Sequence, residues 1–237
     1  MQLSSTYMIK KILISILFTT STFSMPKGLR LATQDWPPYQ YVSNDQVVGQ
    51  AVNAVKCVTD RMNIKTRVDI YPWMRAQMYT EKGSVDGFFA ASHSDRRDSF
   101  AVQSLPFIKQ NWYFYSLKSN HLPKNISEIK KRFVVYARLN SNVYNWLLVN
   151  GFKVKSSYTE TNKNITLLLK NRISVYMENS TVLEHELKKL NIEESLLNKT
   201  FNRSHHLGVC FGKKFISKHP KFLNKFNSIA QKNCSNI

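Results

Sequence analysis

The 237-residue chain carries 34 Lys and Arg against 15 Asp and Glu, with 43% hydrophobic and 12% aromatic residues. That apolar content excludes intrinsic disorder and is enough for one or two ordinary cores. Seven Gly, seven Pro and three Cys exclude both a collagen-like chain and a small scaffold held by disulfides.

At the start of the chain, Lys10 and Lys11 precede an apolar run from Ile12 to Phe18, followed by small polar residues to Ser24. This is the pattern of a secretory signal over residues 1–24, with cleavage expected after Ser24 and Met8 as an alternative start. The run is too short to span a bilayer, which takes about 20 apolar residues. No Cys follows it closely enough for lipid attachment, so a soluble, periplasmic protein without stable membrane insertion is expected. In an oxidising compartment Cys57, Cys210 and Cys234 allow one disulfide and leave one thiol over, and the sequence does not choose the pair.

Without the leader the net charge is +17, spread evenly over the chain. No basic stripe interleaved with stacking aromatics is present, so a nucleic-acid partner is not expected. A lysine-rich solvated surface accounts for the balance.

From Pro26 onward strand and helix patterns alternate, as in layered α/β architecture. Residues 29–33 read as a strand, and Trp36-Pro37-Pro38-Tyr39 as an extended loop, because proline lacks an amide hydrogen and biases its predecessor away from the helix. Gly49 opens a helix to about Met62, with Val52, Val55, Cys57 and Val58 along one face. Residues 66–71 alternate as a strand, Pro72 lies in the first turn of a helix that Gly83 closes, and residues 84–90 form a nearly continuous apolar strand. Asn111 to Leu117 reads as a long strand leaving this first sheet.

The cycle then restarts. Strands are predicted at 133–137, 152–155, 173–177 and 207–212, with helices at 141–150, 162–170, 180–190 and 222–232. Ser180 or Thr181 can cap the third of these helices. The second α/β unit lies within the first, giving 25–117 with 206–237 as one lobe and 118–205 as the inserted one. A cleft between lobes is the usual place for a small-molecule site.

Catalytic and cofactor motifs are missing: no Gly-x-Ser-x-Gly, His-Glu-x-x-His, phosphate-binding glycine loop or Cys-x-x-Cys occurs, and no cofactor is expected. His205-His206 would point to opposite faces of an extended segment, which argues against a metal site.

One series of motifs is more informative. Pro72-Trp73-Met74-Arg75-Ala76, Gly83-Ser84-Val85-Asp86-Gly87, Ser94-Asp95-Arg96-Arg97 and Ser104-Leu105-Pro106-Phe107 follow in order. With the Trp36–Tyr39 loop, the Gly49-led helix and Gly212-Lys213-Lys214, this succession resembles solute-binding protein family 3, the polar amino-acid receptors of ABC importers. The resemblance covers almost the whole chain after the leader. It implies a periplasmic binding protein-like type II fold, two α/β lobes with a central ligand cleft and a two-strand hinge, the crossings falling near 116–120 and 204–208.

It also implies roles for individual residues. Arg97, in the turn where Ser94 replaces the family's Thr, would clamp a ligand carboxylate, for which a planar, permanently charged guanidinium is suited; its alternative is a surface pair with Asp95 or Asp98. Trp36, with Tyr39 close behind, would stack on the ligand, Trp73 would line the first lobe, and Ser92 would offer a hydroxyl; both tryptophans could equally be core. Phe89 and Ala90 depart from the polar residues usual there. In the second lobe Asn140 and Ser141 fall in the turn at a helix start that attracts anions, with Leu139 in place of the usual Gly and Arg138 as a possible second cation.

Asn179 takes the place of an acid that holds an α-ammonium group. Either Glu178 does that work or the solute is not an ordinary α-amino acid, and Asn179 could instead cap the next helix. The reading is of a monomeric, non-enzymatic receptor of a small polar, carboxylate-bearing solute, amino-acid-like or an organic anion, serving an ABC permease or a membrane sensor. A dehydratase-like enzyme on the same scaffold is the rival. No lytic or kinase domain is expected after the closing helix.

Overall fold

The computed structural model describes residues 25–139 and 141–234. Residues 1–24, where a secretory signal is expected, and Asn140 lie outside the described residues. The first run of elements is β1 (Gly28–Thr33), β2 (Tyr41–Ser43), β3 (Gln46–Val48), α1 (Gln50–Arg61), β4 (Lys65–Ile70), α2 (Trp73–Lys82), β5 (Gly87–Ala91), α3 (Asp95–Asp98) and β6 (Ala101–Gln103). The second is β7 (Asn111–Leu117), α4 (Ile126–Arg132), β8 (Val135–Arg138), α5 (Asn142–Val149), β9 (Val154–Ser157), α6 (Thr161–Leu169), β10 (Val175–Asn179), α7 (Ser180–Lys189) and β11 (Leu197–Ser204). The chain then returns through β12 (Gly208–Gly212), α8 (Lys213–Lys218) and α9 (Phe222–Asn233).

Two five-stranded sheets result, ordered β4-β1-β5-β12-β6 and β11-β7-β10-β8-β9. Each buries apolar residues in two clusters. In the first, Leu29, Leu31, Val55, Phe211 and Phe226 belong to one cluster and Phe88, Ala76 and Cys210 to another. In the second, Trp112, Phe114 and Met177 are separated from Tyr115, Tyr176 and Leu183. The alternation along Trp112–Tyr115 follows from the two-residue repeat of a strand covered by helices. Among the described residues no helix is long and apolar enough to cross a membrane.

The strand Asn111–Leu117 belongs wholly to the second sheet, paired with β10 and β11, and does not leave the first. The first crossing is therefore at residues 104–110, not at 116–120. The return crossing is where it was expected, and the two run antiparallel, with Ile108 and Leu207 exchanging backbone hydrogen bonds of 3.0 and 2.8 Å.

The Trp36–Tyr39 segment is a closed turn and not an extended loop. The Trp36 amide donates to the Gln40 carbonyl at 2.7 Å, and the Pro37–Pro38 bond is cis. The turn sits on the start of α1, whose Gln50 and Ala51 amides donate to the Pro38 and Tyr39 carbonyls. Those carbonyls satisfy helix donors that otherwise lack partners. Gly49 makes the approach possible: its φ is +125°, and a Cβ there would lie 2.4 Å from the Tyr39 oxygen.

The disulfide joins Cys57 of α1 to Cys234 beyond α9. Cys210 is the free thiol, buried in β12, and burial pushes its pKa up to about 12.

Candidate functional site

Both lobes contribute walls to a cleft of about 520 Å³. From the first come Gln34, Trp36, Trp73, Met74 and Ala90; from the second Arg138, Leu139, Ser141, Asn142, Val143, Thr159 and Glu178; Gln110 comes from the crossing segment. The first-lobe residues lie at strand ends or just beyond them. Gln34 and Trp36 follow β1, and Ala90 is near the end of β5, in keeping with ligand crevices lying outside the carboxyl ends of strands.

Ala90 has φ +58°. It occupies a β-bulge against β12, where the partner register jumps from Ala91 to Phe89. A left-handed alanine costs about 1–2 kcal/mol, and here it turns the strand's end at the cleft wall.

Glu178 is the carboxylate in this wall and is 1% exposed. It accepts hydrogen bonds from Arg138 Nε and the Tyr176 hydroxyl at 2.7 Å, from the Asn179 amide at 2.9 Å and from Thr161 Oγ1 at 3.4 Å. Burial alone would depress the Arg138 pKa, but the adjacent carboxylate more than offsets this and holds it above its ordinary value. Tyr176 is driven far up by burial and then by Glu178, so it stays a donor. The Arg138 guanidinium lies 6.0 Å from the centre of the Trp36 ring, a contact between the lobes.

Of the residues singled out in the sequence, Trp36, Trp73 and Ser141 are in the cleft wall. Ser141 is also the N-cap of α5, its hydroxyl accepting from the Tyr144 amide at 3.1 Å. Arg97 and Ser92 stand beside the wall. The Arg97 guanidinium lies 5.3 Å from the centre of the Trp73 ring, donates through Nη1 to the Ser92 carbonyl at 2.5 Å and contacts Gln77 at 3.3 Å. Among the described residues no carboxylate pairs with it, and burial lowers its pKa. The alternative of a surface pair is not realised: Asp98 takes His93 instead, at 2.7 Å. The Ser92 hydroxyl accepts from Asn142 of the opposite lobe at 3.4 Å.

Tyr39 and Asn179 do not line the cleft; both are buried behind its wall, Tyr39 with its ring 4.8 Å from that of Trp36. They are bonded to each other, Asn179 Nδ2 donating to the tyrosine hydroxyl at 3.0 Å, while that hydroxyl donates to the Lys109 carbonyl at 2.9 Å. Asn179, rather than Ser180 or Thr181, caps α7 by accepting from the Val182 amide at 3.3 Å. Val182 itself packs into the first lobe's core. Gln34, Gln110, Asn142 and Thr159 were not foreseen; Gln34 and Gln110 follow from their places after a strand and on the crossing, once the crossing is located at 104–110.

The sequence matches no protein-family model, and no curated protein is significantly similar. Solved structures do match. A histidine kinase sensor domain similar to periplasmic binding proteins superposes with a TM-score of 0.69 at 12% identity, over 87% of this chain and 90% of the other. The chain has the periplasmic binding protein fold. A histidine-bound substrate-binding protein of an ABC uptake transporter from Streptococcus pneumoniae gives 0.67 at 15% identity, covering 86% of each chain. An ancestral amino-acid-binding protein, a precursor of cyclohexadienyl dehydratase, gives 0.65 at 16%, over 87% of this chain and 89% of the other.

Proposed function

We propose that this protein is an exported receptor that captures one small, carboxylate-bearing solute between its lobes and hands it to an ABC importer. The observation that carries the reading is the shared wall: a cleft of about 520 Å³ with two tryptophans from one lobe and a guanidinium from the other. Aromatic walls with a few convergent polar groups are what a small-molecule site requires. The Cys57–Cys234 disulfide supports an oxidising location, in line with the secretory pattern of residues 1–24.

Binding, not catalysis, is the role supported. Glu178, the carboxylate in the wall, is buried and already engaged by four donors, Arg138 among them, which supports a structural role for it. The protein works as a monomer in this reading, and Arg97 backs the Trp73 wall and adds positive potential to it.

A thermal-shift screen of amino acids, organic acids, sugars and short peptides tests the reading. A ligand at a hundred times its Kd stabilises the fold by about 2.7 kcal/mol, which raises Tm by several degrees, and Trp36 and Trp73 should change their emission. A screen in which no solute moves either signal overturns it. The kinase sensor-domain likeness favours a second reading, delivery of the same solute to a membrane sensor. Loss of solute uptake on deletion marks the importer role; intact uptake with a lost transcriptional response marks the sensor role.

A further inference from the structure

The two charged groups in the cleft wall are unequally engaged. Glu178 is 1% exposed, its charge is matched by Arg138, and it accepts from three donors at Oε2 and one at Oε1. A solute ammonium would find no exposed, uncompensated carboxylate there. Asn179 gives no substitute, because its oxygen caps α7 and its amide nitrogen is bonded to Tyr39.

Arg138 is the reverse case. Only its Nε is used, on Glu178, and its two terminal nitrogens make no hydrogen bond among the described residues. Beneath the guanidinium lies Trp36, whose indole Nε1 is buried and likewise has no acceptor. Unused donors in a partly dry site call for an oxygen-rich, negatively charged partner. An ammonium in the same place would face a cation at low dielectric with no free counter-charge.

Resting on the cleft being the solute site, we infer that the solute is an organic acid without an amino group. Its carboxylate is received by the terminal nitrogens of Arg138 and the Trp36 indole N–H. Glu178 is a positioning residue that fixes the guanidinium through Nε, and Arg138 is the residue that selects acid over amino acid.

Calorimetric titration of the full-length secreted protein with matched pairs tests this: succinate against aspartate, glutarate against glutamate, hexanoate against norleucine, 3-phenylpropanoate against phenylalanine. In at least one pair the acid should bind at least about tenfold more tightly than its amino counterpart, the scale of one charge-assisted hydrogen bond. Arg138→Gln should weaken that acid by about ten- to a hundredfold. Arg138→Lys keeps a cation beside Glu178, so the fold survives, yet loses the forked donor pair and should still weaken binding. Trp36→Phe should weaken it while keeping an aromatic wall.

If the amino acid binds as well as the acid in every responding pair, or better, the inference fails and the receptor reading stands. If Arg138→Lys and Trp36→Phe both bind like the natural protein, the assignment of the carboxylate to these donors fails. If no member of any pair binds, the carboxylate-receptor reading fails and the inference with it.

Discussion

Replacing Glu178 by Gln removes one negative charge and almost no volume, so its cost measures what the carboxylate does for its surroundings. In the native protein both oxygens accept, one from the Asn179 amide and the other from Arg138, Tyr176 and Thr161. A glutamine keeps one acceptor oxygen and turns an NH₂ toward donors on the other side. If the oxygen keeps Arg138, the backbone N–H of Asn179 is orphaned; if it keeps Asn179, Arg138 faces an amide with its charge uncompensated. Breaking a buried ion pair from one side costs about 3–5 kcal/mol, a large part of the 5–15 kcal/mol that holds a typical domain. Urea unfolding followed by far-UV circular dichroism should show the midpoint fall with an unchanged slope. The double variant Arg138→Met with Glu178→Met should recover most of the loss, because replacing a buried pair by apolar side chains is often neutral. A single-variant loss below about 1 kcal/mol, or a double variant as unstable as the single one, would refute the reasoning.

Three further outcomes are expected. Replacing Cys57 and Cys234 by Ser should lower unfolding stability by on the order of 4 kcal/mol, since the bridge closes a loop across a sequence separation of 177; equal urea midpoints for the two forms would contradict this. Gly49→Ala places a Cβ against two loop carbonyls at positive φ and should cost about 1–3 kcal/mol or more and shift Trp36 emission; unaltered fluorescence and melting would show that the turn yields freely. His205 stands 4.7 Å from Trp112 on the return crossing, and burial, then Arg203 and His206, hold its pKa below the ordinary histidine value. The unfolded chain therefore binds the proton more readily. Stability should be full above the unfolded histidine pKa and fall as the pH drops through that value toward the lower native one. His205→Gln should flatten that part of the pH profile, and an unchanged profile would remove His205 as its source.

Most of the strand and helix succession was legible because each element carries its own periodicity and punctuation. Gly83, at φ +80°, ends α2 as the sequence suggests, and the apolar run ending at Ala90 is a fully buried strand, β5. What escaped was short or polar. The β2–β3 hairpin and α3 are too brief to show a period, and β11, with Asn198, Lys199, Asn202 and Arg203, is an edge strand whose polar residues resemble a loop. The assignment of Asn111–Leu117 to the wrong sheet has the same origin: periodicity reveals that a strand exists, while its partners are fixed by contacts far along the chain.

The lining of the candidate cleft was legible to the extent that position on the fold selects it. Trp36, Trp73 and Ser141 follow from that. Tyr39 and Asn179 carry the right chemistry but meet each other across the lobes, a pairing over 140 positions that no local pattern encodes. Glu178 and Arg138 were visible as charges beside the expected site, but their pairing depends on the parallel placement of β8 beside β10.

The covalent link between α1 and the C-terminal end of α9 gives the first lobe a closed circuit, because both its halves are fastened to each other outside the inserted lobe. A protease that nicks any surface loop of the second lobe would produce two pieces that still migrate together until a reductant is added. Damage to the inserted half would therefore not separate the segment that holds the two cleft tryptophans from the segment that closes the first lobe.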